Sequence, residues 1–77
     1  MTLAQLLAEN GNNLELREFQ IATMMVRGYT NQEIADQLGI AFKTVKNVVS
    51  KIWPKLGVQD TGHARDLRNQ ARSEAQP

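Results

Sequence analysis

The sequence predicts an all-α domain built from short helices, and three observations carry that prediction. Apolar residues recur at three- and four-residue spacings and never in a strand-like alternation; capping residues and glycines divide the chain into helix-length pieces; and β-branched runs are few. The chain has 77 residues, 42% hydrophobic and 22% charged, which suits one small globular domain. It contains no Cys and a single His, so a disulfide framework, a Cys-based zinc site, a Cys nucleophile and a polyhistidine metal site are all excluded. No cofactor is implied. No apolar run approaches the ~18 residues that span a bilayer, and the start MTLAQLLAENGN lacks the basic residues and cleavage site of a signal peptide. The expectation is an intracellular, cytoplasmic protein with no membrane partner.

Thr2 caps a first short helix whose Leu3, Leu6 and Leu7 share one face, and Asn10-Gly11-Asn12-Asn13 ends it in a turn. Residues 1–13 therefore read as a short amphipathic N-terminal arm. A second helix runs from about Glu15 to Arg27 and closes at Gly28, with a stripe of Leu14, Ile21, Ala22, Met25 and Val26. Phe19 and Met24 widen that stripe beyond what one partner surface covers, so the Phe19 side should meet the leucine arm or another subunit.

Thr30-Asn31-Gln32-Glu33 is a capping box and opens a third helix, whose Ile34, Ala35 and Leu38 face inward until Gly39 stops it. A fourth helix starts near Phe42 and places Val45, Val48, Val49, Ile52 and Leu56 on one buried stripe. Pro54 lacks an N–H and clashes with the preceding turn, so a kink or an end is expected near Trp53, itself read as a half-buried packing residue. A last helix covers Thr61 to about Ser73 on Ala64, Leu67 and Ala71, with His63 exposed at its start, and residues 73–77 should fray.

Charge is unevenly distributed. Residues 1–40 hold two arginines against five acids, whereas residues 41–58 hold Lys43, Lys46, Lys51 and Lys55 and no acid. Screening over ~8–10 Å lets such a local stripe attract phosphate even though the chain's net charge is only +1. A short helix, a glycine and a second helix make a helix-turn-helix spacing. The exposed face of that second helix, about residues 42–53, carries Lys43, Lys46, Asn47 and Ser50, groups that donate to or accept from base edges in a major groove. The helix starts at Thr30, Asn31 and Thr44 offer unpaired N–H groups to phosphates. No nucleophile, base or metal cluster can be assembled around His63 or elsewhere, so no catalytic residue is assigned and an enzyme is not expected.

Residues 14–64 resemble the LuxR/GerE type of bacterial helix-turn-helix domain. The resemblance rests on Leu14-x-x-Arg17-Glu18, then Gly28-x-Thr30-Asn31-x-Glu33-Ile34-Ala35-x-x-Leu38-x-Ile40, then Thr44-Val45-Lys46 and Lys55-Leu56-Gly57-Val58, in order and at the family's spacing. It implies a compact four-helix DNA-binding domain over residues 14–72, here with an additional short N-terminal helix. By position it implies base contacts from Lys46, Asn47 and Ser50. Backbone contacts are implied for Thr30, Asn31, Gln32, Lys43, Thr44, Lys51 and Lys55. Ala41 stands where the family's capping serine stands, Val48 where its histidine stands, and Glu15 where the first helix usually has a Thr or Ser cap; Pro54 is a further departure.

The function this implies is sequence-specific transcriptional regulation on double-stranded DNA in the bacterial nucleoid. The regulator is expected to lack a sensory domain and to act as a homodimer through its C-terminal helix or N-terminal arm. The alternative is a regulator-like interaction protein that binds and antagonises a larger transcription factor.

Overall fold

The computed structural model describes residues 1–75 and contains five α-helices: α1 (Leu3–Asn10), α2 (Leu16–Val26), α3 (Asn31–Leu38), α4 (Phe42–Lys55) and α5 (Thr61–Ala75). A single 3₁₀ turn, Gly11–Asn13, joins α1 to α2. The expected all-α class is observed, and each helix lies within a few residues of its sequence-based limits. One core unites them: Leu3, Ile21, Met25, Ile34, Val45, Ile52 and Leu56 are all within 1% of complete burial. Packing of α2 against α4 and α5, and of α3 against α4, places that core between the helix-turn-helix pair and the terminal helices.

Local chemistry sets the helix starts. Thr30 Oγ1 accepts from the Glu33 N–H at 3.1 Å while the Glu33 carboxylate accepts from the Thr30 N–H at 2.8 Å, the reciprocal box that the sequence predicts. Thr2 and Gln5 make the same pair of bonds at α1, where the sequence suggested only the threonine half. At α2 the Glu18 carboxylate takes the Glu15 N–H at 2.8 Å, so a glutamate one turn inside the helix supplies the cap that Glu15's own position lacks.

Two sequence expectations are corrected, while the N-terminal arm packs within the domain: Leu3 and Leu7 are buried in the common core and Leu6 packs against it, because α2 and α5 offer α1 an apolar wall. Phe19 lies over the end of α1, where a Cβ on Gly11 would come within 3.0 Å of its ring, and 42% of it stays exposed. The helix through Pro54 continues to Lys55, two residues past the expected limit. Pro54 falls in the last turn, where its missing N–H costs one bond. Val58 N–H to the Trp53 carbonyl at 2.9 Å and Gly57 N–H to the Pro54 carbonyl at 3.0 Å then close the end.

The second correction concerns the tail. Helix α5 does not fray at Ser73 but runs on to Ala75, and the last two residues of the expected frayed segment, 76–77, lie outside the described residues. Its final turns pack on the α2–α3 connection. Gly28 sits there at φ +89°, and a Cβ on it would stand 2.8 Å from the Ala75 Cβ and 3.2 Å from the Arg72 Cα. One residue on, the Tyr29 carbonyl accepts from Arg68 Nη2 at 2.9 Å. Helix α5 thereby holds the turn that leads into the Thr30 cap.

Both the positive φ and the close approach demand glycine at position 28. Gly28→Ala is expected to destabilise the domain by about 1–3 kcal/mol, read as a lowered urea midpoint. An unchanged midpoint would show that α5 does not press on this turn.

Candidate nucleic-acid interface

The geometry of the α3–α4 pair starts at its turn. Gly39 adopts φ +66° and Ile40 N–H bonds to the Ala35 carbonyl at 3.1 Å, which ends α3 and redirects the chain within three residues. A Cβ on Gly39 would meet nothing within 4 Å, so glycine is needed here for the torsion alone. Helix α4 then buries Val45, Val49 and Ile52, with Val48 half-buried beside them.

Opposite that stripe, Lys43, Thr44, Lys46, Asn47, Ser50 and Lys51 are all exposed. These six are the α4 residues to which the sequence assigns base and backbone contacts, Lys55 excepted. The Ser50 hydroxyl donates to the Lys46 carbonyl at 3.1 Å, which commits its proton and leaves its oxygen free to accept. Lys46 Nζ lies 5.8 Å from the centroid of the Phe42 ring, an aromatic that is itself 44% exposed at the start of the helix. Ala41 supplies no side-chain cap, so the first-turn N–H groups of α4 face outward without an acceptor.

The α3 start is more occupied. The Thr30 hydroxyl serves Glu33, and the Gln32 amide donates to Asp36 Oδ1 at 2.9 Å. Asn31 Oδ1 is buried and makes no hydrogen bond. What this end offers an anion is its backbone N–H groups rather than these side chains.

Lys55 departs most from its expected place. Its Nζ lies 2.8 and 2.9 Å from the two Glu18 oxygens, and Glu18 is only 6% exposed. The ammonium thus ties the end of α4 to the first turn of α2, and the outward basic stripe narrows to Lys43, Lys46 and Lys51. The Lys55 ammonium and the Glu15 N–H together hold the Glu18 carboxyl below the usual carboxylate range, against the upward push of burial. Sequence reasoning missed this pair, whose members are 37 positions apart, and it missed the exposure of Phe42. Among the described residues no group of His, Asp or Glu is placed to hold a metal ion, and no helix is long and apolar enough to cross a membrane.

The family model of bacterial regulatory proteins of the luxR family matches residues 12–67. The chain belongs to the LuxR family. The α3–α4 pair is accordingly the helix-turn-helix of that family's domain. The response regulator protein VraR of Staphylococcus aureus is 47% identical over 57 residues, and the VraR proteins of Staphylococcus epidermidis and Staphylococcus saprophyticus match equally well. Those 57 residues are 74% of this chain and 27% of each relative, so the chain spans about a quarter of the relatives it matches. No solved structure matches.

Because Glu18 titrates at a lowered value in the fold, the stability its ionised form contributes is complete above the unfolded carboxylate pKa of ~4.3 and disappears as pH falls through the folded value. Glu18→Gln should lower stability at pH 7 by about 1–3 kcal/mol and flatten the loss between neutral and acid pH, measured by urea titration at each pH. Parallel pH profiles for the two proteins would remove the pair from its assigned role.

Proposed function

We propose that this domain is a sequence-specific regulator that sets α4 in the major groove of double-stranded DNA, with Lys46, Asn47 and Ser50 on base edges. Lys43, Thr44 and Lys51, with the backbone N–H groups at Asn31 and Gln32, contact phosphates, the Thr30 N–H being taken by Glu33. The observation that supports this most is the single wet face of α4, where six polar or cationic side chains stand opposite a fully packed stripe. Lys55 is left out of the contact set because Glu18 engages it. Its place of action is the cytoplasm, on the nucleoid.

Two copies act on an approximately palindromic site. The outward side chains of α5 include Arg65, Asp66, Asn69 and Gln70, all exposed and polar, and the α1 leucines are spent on the core. We therefore assign the pairing to the spacing of half-sites on DNA more than to apolar burial between subunits. A second reading, capture of a larger transcription factor, draws on the α1–α2 side, where Leu16 is 80% exposed beside the half-open Phe19.

With two lysines per copy, Lys43 and Lys51, on phosphates, the salt dependence of a DNA-bound dimer should have a slope of about −4, from ~0.9 per contact. Lys46→Ala should weaken binding to an in vitro selected duplex more than to a scrambled one, and Lys55→Ala should leave the salt slope unchanged. Fluorescence anisotropy across a salt series checks all three values. Absence of any salt-dependent binding, with tight stoichiometric association to a transcription factor, would favour the second reading.

A further inference from the structure

We propose that Phe42 is a specificity-determining residue of this domain: its ring meets the C5-methyl of a thymine while holding Lys46 toward the neighbouring base. The inference rests on the reading of α4 as the major-groove element.

Phe42 is the first residue of α4, 44% of its surface is open, and it stands outside the buried cluster that the other helices share. Single exposed apolar residues are ordinary on protein surfaces. What distinguishes this one is its partner. Residues four apart on a helix lie one above the other, and Lys46 rests with its ammonium 5.8 Å from the Phe42 ring centroid. A lysine chain has many rotamers, and a contact with the ring face restricts them. Whatever edge Lys46 reaches, Phe42 is therefore one turn nearer the start of the helix on the same side.

The ring is open to that approach over 44% of its surface. Ala41 presents only a methyl before the ring and makes no capping bond, and the next core residue, Val45, is wholly buried. The chemistry is complementary to that of the polar contacts. Ammonium, amide and hydroxyl groups distinguish donors from acceptors, whereas thymine alone among the bases carries a methyl in the major groove, and an aromatic ring is suited to cover it. Lys46, Asn47 and Ser50 supply the first kind of discrimination and Phe42 the second.

The test uses the full chain and a duplex selected for tight binding, in which each thymine is replaced in turn by deoxyuridine, a change that deletes only the C5-methyl. Wild-type protein should lose about fourfold in affinity at one thymine of each half-site, the worth of one buried methyl group. Phe42→Ala should bind more weakly and be indifferent to that replacement, while Phe42→Leu, which keeps an apolar group there, should remain sensitive. Indifference of the wild type to every replacement, or undiminished sensitivity in Phe42→Ala, overturns the assignment. If the wild type does not prefer the selected duplex to a scrambled one, the DNA reading itself fails and this inference falls with it.

Discussion

Val45, Val49, Ile52 and Leu56 must be kept from water on a helix whose opposite face has to stay wet, and the other elements are arranged around that requirement. Helices α2 and α3 both pack on α4, so the stripe is covered from two sides and the helix is held against rolling. A roll of one residue would turn a valine outward and a lysine inward. Side chains this thoroughly packed sit in single rotamers, which fixes the direction in which the polar face of α4 points. Helix α5 secures the other half of the unit, through Arg68 on the Tyr29 carbonyl and its last turn against Gly28.

Electrostatics divides the lysines of α4 into two roles. Glu18 draws Lys55 into the fold and is itself satisfied by both the ammonium and the Glu15 N–H, so a buried carboxylate is tolerated without being orphaned. The remaining three lysines have no acid among the α4 residues to pair with. A domain of almost neutral total charge thereby keeps one cationic face, on α4.

Much of the fold was legible because its determinants are local. The Thr30–Glu33 box, the Gly39 stop and the period of Val45 to Leu56 each involve residues within a few turns of one another, and each appears as expected. The wet face of α4 was legible for the same reason, since periodicity assigns both sides of a helix at once. The pair Glu18–Lys55 was not, because helical spacing carries no information about a partner 37 residues away. Packing of α1 and the full length of α5 depend on surfaces supplied by other helices, and a composition such as Ser73-Glu74-Ala75 looks frayed until Gly28 gives it somewhere to rest. The exposure of Phe42 was not legible, because periodicity places it at the start of α4 without saying how much of its ring the other helices cover.

The α2–α4 ion pair also gives the domain a particular response to heat. Its chief opposing cost is the dehydration of two charged groups, and that cost declines on warming because ionic hydration is entropically unfavourable. Apolar stabilisation per unit area levels off over the same range. As temperature climbs, the Glu18–Lys55 contact therefore carries a growing share of what keeps the last turn of α4 seated, while the buried hydrophobic residues carry a shrinking one.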